Sequence, residues 1–133
     1  MRNSRSTVRA LAIAAGALLA ASAAVAQTLV PPKRTPLQQT EYPDGHVIHM
    51  QLLELAPHTL IARHTHPGVE TSYILEGELE LTVEGKDTLK LKPGDSFAVP
   101  ANTRHAGKVG AGPAKLIVTY VVEKAKPIAS PAP

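Results

Sequence analysis

The chain has 133 residues, with 14 Lys and Arg, 11 Asp and Glu, and no Cys. Because three of the arginines lie within residues 1–26, the rest of the chain carries equal numbers of basic and acidic side chains, 11 of each. It has no basic cluster interleaved with aromatic residues, so the sequence excludes a nucleic-acid-binding surface. The absence of Cys excludes stabilisation by disulfides.

Residues 1–26 have the pattern of a secretory signal peptide. Three arginines precede an apolar run at 10–24, and residues 24–26 read Ala-Val-Ala, a small-residue cleavage site. A transmembrane anchor is the alternative, but the run is rich in Ala and short for a membrane-spanning helix. The arginines are not paired, which favours export in the unfolded state. We therefore expect a periplasmic or secreted protein that begins at Gln27, leaves the membrane after cleavage and acquires any metal outside the cytoplasm.

The 107 residues that follow residue 26 are enough for one domain. Residues 27–39 are rich in Pro and predict an extended lead-in. Residues 124–133 consist mainly of Ala, Pro and Lys and have little to bury, so they predict a disordered tail. The folded domain is therefore expected at residues 40–123.

Within residues 40–123, nearly every segment alternates apolar and polar residues, which is the pattern of β-strands. No convincing helix is present. Many short strands separated by tight turns predict an all-β fold, an antiparallel β-barrel or jelly roll. The expected strands are 46–55, 59–66, 70–75, 78–83, 88–92, 96–99 and 115–122.

The hairpin around Gly85 allows a prediction of register. Leucines alternate with glutamates before the turn and with lysines after it. One alignment matches every pair, whereas a shift of one residue sets leucines against lysines. The predicted pairs are Leu79 with Leu91, Leu81 with Leu89, Glu80 with Lys90, and Glu78 with Lys92. The charged residues of this ladder are therefore interpreted as structural.

Histidines and a glutamate have the spacing of a metal site. His64 and His66 flank Thr65, Glu70 follows four positions later, and His105 lies some forty residues beyond the first histidine. An H-x-H pair on a strand places both imidazoles on one face, and Pro67-Gly68 can redirect the chain before the carboxylate. Alone, an H-x-H pair is more often two polar residues facing solvent. Three imidazoles and one carboxylate suit Fe, Mn, Ni, Zn or Cu and leave open coordination positions.

The full pattern is His58-x5-His64-x-His66-x3-Glu70-x6-Gly77, followed by Gly94-x5-Pro100-x-Asn102-x2-His105. It resembles the two sequence motifs of the cupin superfamily, small β-barrels that include germin, oxalate-degrading enzymes and many dioxygenases. The resemblance covers roughly residues 40–123. It implies a cupin-type barrel in which His64, His66, Glu70 and His105 are the metal ligands and Gly77, Gly94 and Pro100 are turn residues.

At three positions the sequence departs from the family pattern. His58 and Asn102 stand where the motifs usually have Gly, and Val109 stands where the second motif often closes with Asn. Asn tolerates positive φ, so Asn102 is expected in a left-handed turn position. His58 indicates a turn that does not need positive φ. With His46 and His49, it is interpreted as an ordinary polar residue, with a place at the barrel mouth as the alternative.

Alternation along the strands predicts what surrounds the site. Ser72 and Ile74 share the face of Glu70, and Ala62 is expected to point inward with His64. Because aromatic residues are few, the cavity is expected to be lined by small aliphatic side chains. Ser72 and Tyr120 are the only candidates for an acid or base beside the ligands.

Three functions remain open. The leading interpretation is a metalloenzyme that holds Fe(II), Mn(II) or Ni(II), with Zn or Cu as alternatives, and performs dioxygenase-, lyase- or decarboxylase-like chemistry on a small molecule. The second is a binding module that captures a small acid or sugar without turnover. The third is a protein that the metal merely stabilises. A homodimer through the N-terminal strands is also expected, because a small domain without disulfides gains from further burial.

Overall fold

The structure, a computed structural model, describes residues 30–133. The predicted signal peptide and residues 27–29 lie outside this range. All regular structure in the described residues is β-strand, so they contain no helix long and apolar enough to cross a membrane. The strands are β1 Lys33–Tyr42, β2 His46–Leu55, β3 Leu60–Thr65, β4 Gly68–Glu76, β5 Leu79–Val83, β6 Leu89–Leu91, β7 Ser96–Val99, β8 His105–Val109, β9 Ala114–Glu123 and β10 Ser130–Pro131.

The strands form two antiparallel five-stranded sheets. The first sheet has the order β1-β2-β9-β4-β7 and the second has the order β10-β3-β8-β5-β6. This confirms the predicted all-β fold with a jelly-roll arrangement. The strands carrying the site residues lie in different sheets, since β4 belongs to the first sheet while β3 and β8 pair in the second.

The core lies between the sheets and is filled by alternate residues of the strands. Along β9, every second side chain is buried, from Ala114 to Val122. Residues 70, 72 and 74 of β4 are buried while their neighbours 69, 71 and 73 are exposed, which confirms the predicted alternation. The inward face of β4 is therefore apolar at Ile74 and polar at Glu70 and Ser72, close to the site.

Strand pairing confirms most of the predicted hairpin register. Leu79 pairs with Leu91, Glu80 with Lys90, and Leu81 with Leu89. The pairing ends there, because β5 begins at Leu79 and β6 ends at Leu91, so the expected Glu78–Lys92 pair lies beyond the ladder. Leu89 is 39% exposed and packs less deeply than the other three leucines.

The structure differs from the prediction at both ends of the domain. β1 begins at Lys33, inside the expected lead-in, and pairs with β2 along its length apart from one bulge. The segment 124–133 was expected to be disordered, but Ser130 and Pro131 pair with Thr65 and His64 of β3. Backbone pairing and a few apolar contacts, including Ile128 against the core, order a segment whose composition offers little to bury.

Two local predictions are wrong. His58 has a φ of 60°, so its turn does adopt the left-handed conformation that Gly would favour; its side chain is exposed and lies outside the site cluster. Ala62 is exposed rather than inward, because the register of β3 shifts between Ile61 and His64. This bulge breaks the alternation. Asn102 has a φ of 58°, as predicted.

Gly77 shows why glycine is needed at the turn between β4 and β5. Its φ is 78°, a conformation that side chains disfavour. A Cβ at this position would lie 2.1 Å from the carbonyl oxygen of Pro113, so the chains could not approach as closely as they do.

Candidate metal centre

Four predicted side chains meet between the two sheets. His64 lies on β3, His66 in the short connection to β4, Glu70 on β4, and His105 at the start of β8. His64 and His105 are direct partners across the β3–β8 pairing, which brings together residues that are distant in the sequence. Each residue offers a ligating atom, and all four atoms lie within 4.8 Å of one another. In the described part of the chain, His46, His49 and His58 stay outside this cluster.

The cluster is largely shielded from solvent. His66, Glu70 and His105 are 3%, 7% and 4% exposed, and His64 is partly buried. The His64 ring centroid lies 4.8 Å from that of His66 and 4.1 Å from that of His105. The imidazoles therefore surround a common centre, with His64 on its more open side.

Each imidazole is oriented by a backbone carbonyl. Nδ1 lies 2.8 Å from the Ala62 oxygen in His64, 2.6 Å from the Ile128 oxygen in His66 and 3.0 Å from the Thr103 oxygen in His105. A carbonyl only accepts, so Nδ1 must be the protonated, donating nitrogen in all three rings. In the neutral rings, Nε2 then carries a lone pair. Partners of this kind fix the tautomer of metal-binding histidines.

The Glu70 carboxylate is held between the histidines. Its Oε1 accepts a hydrogen bond from Ser72 Oγ at 3.1 Å, and its Oε2 lies 3.2 Å from His105 Nε2. Oε2 is also 2.8 Å from His66 Nε2. That second contact is short but lacks hydrogen-bond geometry, and His66 Nε2 is a buried polar atom with no hydrogen-bond partner among residues 30–133. Ser72, which the sequence suggested only as a candidate acid or base, therefore contacts Glu70 as a positioning group.

This geometry fits a bound cation. A lone pair on His66 Nε2 and a carboxylate oxygen face each other at close range with no proton aligned between them. Buried polar groups without partners cost free energy, and a divalent transition metal would satisfy both. Imidazole nitrogen and carboxylate oxygen are suitable donors for such a metal.

The charges of the site perturb the pKa values of its groups. Burial opposes the charged form of Glu70, but the hydrogen bond from His105 and the charges of the nearby imidazoles outweigh it and lower the Glu70 pKa to about 2. Burial likewise opposes protonation of His105, but its hydrogen bonds to Glu70 and Thr103 raise the His105 pKa. For His64, burial dominates and lowers the pKa. Glu70 is therefore anionic and His64 neutral near pH 7, both suited to metal binding.

A small cavity of about 30 Å³ adjoins the ligands. Aliphatic side chains form much of its wall, as predicted, but Tyr120, Phe97 and Arg34 also line it. The Tyr120 ring is 3% exposed and lies 4.8 Å from the His66 ring, and its hydroxyl accepts a hydrogen bond from Arg34 Nη1 at 3.2 Å. Burial and the nearby Glu70 carboxylate raise the Tyr120 pKa, so this phenol stays protonated.

Sequence reasoning missed two contributors to the site. Arg34 lies in a segment with Pro36 and few apolar residues, which was taken as a lead-in because it lacks the alternation of a buried strand. Ile128 contributes through its carbonyl oxygen, which no side-chain pattern reveals. An available signal was Ile128 itself, the only large aliphatic residue between 124 and 133.

A comparison with protein families now decides the family. The model of the Cupin domain matches residues 51–120, more than half of the chain. The chain belongs to the cupin family. This cupin therefore has the fold that its two motifs predicted, and the match includes Glu70 and His105.

Solved structures agree on the fold of this cupin. A cupin superfamily protein from Desulfitobacterium hafniense DCB-2 is 22% identical with a TM-score of 0.60, over 70% of this chain and 79% of that chain. KdgF from Halomonas sp. is 21% identical with a TM-score of 0.59, over 71% and 81%. The DMSP lyase DddQ from Ruegeria pomeroyi DSS-3 is 24% identical with a TM-score of 0.59, over 64% of this chain but only 43% of that chain.

These structural similarities show a shared fold but not a shared activity, because the sequence identities are low and cupins host many unrelated reactions. This cupin spans less than half of the lyase it resembles. No curated protein matches the chain.

Proposed function

We propose that this cupin binds a divalent transition metal through His64, His66, Glu70 and His105 and handles a small oxygen-donor molecule beside it. The observation that carries the proposal is the convergence of three oriented imidazoles on one buried carboxylate, with His66 Nε2 lacking a hydrogen-bond partner in the described part of the chain. Fe(II), Mn(II) and Ni(II) are the favoured ions, with Zn and Cu as alternatives. On the sequence of residues 1–26 alone, we place this activity in the periplasm or outside the cell.

The metalloenzyme remains our leading interpretation. A bound metal supplies Lewis acidity or activation of oxygen. The chain itself supplies a small cavity beside the ligands, a carboxylate held by Ser72, and the Tyr120 phenol, which can donate a proton from its hydroxyl. Glu70 offsets one positive charge of the metal, which keeps the buried centre from carrying two.

One observation favours the second candidate, a binding module. Among residues 30–133, the titratable groups that line the cavity, apart from the four ligands, are Arg34 and Tyr120. Both are protonated near neutral pH, so the cavity has no ready general base outside the ligand set. Capture of a small molecule without turnover requires no such base.

The experiment compares Glu70→Gln with wild type in a metal titration, using Mn(II), Ni(II) and Zn(II) on metal-free protein. Loss of a charged ligand should weaken metal binding by about tenfold or more. Glu80→Gln is the matched control, because Glu80 is exposed on β5 and should leave affinity unchanged. If Glu70→Gln binds metal as tightly as wild type, Glu70 is not a ligand and the proposal fails.

The same variant separates the enzyme from the binder. At saturating metal, an enzyme should lose turnover of small acids when Glu70 becomes Gln, because the electronic properties of the metal change. A binding module should keep or gain affinity for an anion, because the more positive metal attracts it more strongly. Both quantities are measured on the fully loaded proteins.

A further inference from the structure

We propose that Arg34 is a specificity-determining residue that binds the carboxylate of a small acid in the cavity beside the metal centre. This inference names the ligand class for the function proposed above and rests on it. It comes from β1, a strand outside the motifs that identify the family.

The backbone places Arg34 on the inward face of the first sheet. β1 pairs with β2 so that Arg34 lies opposite Leu53, whose side chain is 4% exposed in the core. Directly paired residues of an antiparallel sheet point to the same face. Arg34 therefore directs its guanidinium over the cavity that Glu70, His64 and His105 also line, while the edge position of β1 leaves the residue open to solvent.

The guanidinium is only partly used by the protein. Arg34 Nη1 donates to the Tyr120 hydroxyl, and among residues 30–133 no carboxylate lies within 4.0 Å of this guanidinium. Arg63 and Arg104, in contrast, both contact Glu84. An arginine has five N–H donors in a planar fork that matches a carboxylate. Donors thus remain on Arg34 for an anionic ligand, which can bind them in pairs.

Charge around the cavity favours an anion. A divalent metal would more than neutralise the negative charge of Glu70, which leaves one net positive charge at the centre. Arg34 adds a second positive charge. Tyr120 is neutral near pH 7, because its pKa is raised. An anion in the cavity would therefore meet a positive field from two sides, the metal and Arg34. A neutral ligand would gain less from this field, because it has no net charge.

The small volume of the cavity favours a ligand smaller than a sugar ring. At about 30 Å³, it is roughly ten times smaller than ordinary pockets for drug-sized ligands. A carboxylate with one or two further atoms matches this space, whereas a sugar requires a much larger cavity. We therefore identify the ligand as a small carboxylic acid with a second oxygen donor, such as a hydroxyl, for the metal.

Tyr120 has a positioning role in this arrangement. Its buried ring lies against His66, and its hydroxyl holds Arg34 at the cavity. Loss of the hydroxyl would release Arg34 without removing its charge. Tyr120→Phe should therefore weaken acid binding less than removal of the guanidinium does.

The test uses glycolate and its neutral analogue glycolamide as probes on Ni(II)-loaded protein, with affinity measured by calorimetry. Arg34→Gln should weaken glycolate binding by about tenfold or more, because a charged hydrogen-bonding partner is lost. Glycolamide binding should change by less than about twofold, since no ionic contact is lost. Arg34→Lys should keep part of the glycolate affinity.

Arg63→Gln is the matched control, because Arg63 is an exposed arginine next to the ligand His64 and contacts Glu84. It should bind both probes like wild type. Equal glycolate affinity in wild type and Arg34→Gln overturns the inference, as does equal weakening for both probes. The Mn(II), Ni(II) and Zn(II) titrations described above distinguish failure of the metal site from failure of the role of Arg34. If wild type takes up none of these ions, the proposed metal function has failed. If it takes up metal and Arg34→Gln leaves glycolate binding unchanged, only the role of Arg34 is refuted.

Discussion

The three histidines of the site are oriented in two different ways. His64 and His105 each donate from Nδ1 to a carbonyl two residues earlier in the chain, so local backbone geometry sets their rings. His66 instead donates to Ile128, 62 positions later. The orientation of His66 therefore depends on tertiary structure, whereas that of the other two depends on their own strands.

Glu70 should make the metal-free protein sensitive to acid. Its pKa is about 2 in the folded protein against an ordinary value of 4.5. Because the pKa is lowered on folding, the stabilisation is present above pH 4.5 and is lost as the pH falls towards 2. The shift corresponds to a contribution on the order of 3 kcal/mol.

Urea unfolding of the metal-free protein across this pH range measures the effect. The difference in unfolding free energy between wild type and Glu70→Gln should shrink as the pH falls from 4.5 towards 2. A difference that stays constant over this range would show that Glu70 is not held in its charged form by His66 and His105.

At the scale of the strands, the sequence predicted those strands in which apolar and polar residues alternate clearly. β2 and β7 have the predicted bounds, and β4, β5, β6 and β9 differ by one or two residues at their ends. Each has a face that packs on the core, and this leaves a period of two in the sequence. Three strands were missed. In β1 and β10 every residue but Thr35 is exposed, and their stability comes from backbone pairing that leaves no hydrophobic pattern. β8 was missed because its buried residues are His105, Gly107 and Val109, of which only Val109 is a large apolar residue.

The same reasoning explains what could be predicted of the site. The four candidate ligands were found because their residue types and spacing are specific, and they do meet in the structure. Arg34 and the Ile128 carbonyl were missed because they act through strand pairing and backbone atoms. The inward position expected for Ala62 failed because a bulge, which sequence alternation does not reveal, precedes His64.

The C-terminal segment should support metal binding. Its Ile128 carbonyl orients His66, and its strand β10 pairs with the strand that carries His64. Deleting residues 128–133 should lower metal affinity by about 10- to 100-fold, the range for loss of a group that orients a ligand. The measurement is a metal titration of the truncated protein.

Deletion of residues 132–133 is the control for this truncation. It removes the backbone hydrogen bond from Ala132 to Arg63 but retains both β10 and the Ile128 carbonyl. Metal affinity should then match that of the full chain. Equal affinities for both truncated proteins and the full chain would mean that the tail only packs beside the site.

At the scale of the whole molecule, the outer face of the first sheet is unusually apolar. Val69 and Tyr73 are 41% and 48% exposed on β4, and partly buried aliphatic residues continue this face on β9 and β2. A solvent-facing side of an antiparallel sheet is ordinarily polar. This face includes β1, the N-terminal strand through which a homodimer is expected, so we predict that a second copy covers it.

Sedimentation at micromolar concentration tests the dimer. Tyr73→Lys should shift the protein towards monomer, because it places a charge in the apolar face. Leu60→Lys is the matched control, since Leu60 is 68% exposed but lies on β3 in the other sheet. A monomeric wild type would contradict the prediction.

The hydrogen bond between His66 and Ile128 couples the metal centre to the last strand. Coupling between two equilibria is reciprocal, so whatever factor the docked tail adds to metal affinity, the bound metal must add to docking of the tail. Amide hydrogens of residues 128–130 and of Ala132 should therefore exchange more slowly in the loaded protein, and a protease should cut this segment less readily. Hydrogen exchange and proteolysis of the tail would then report how much of the protein has bound metal, without a measurement on the metal itself.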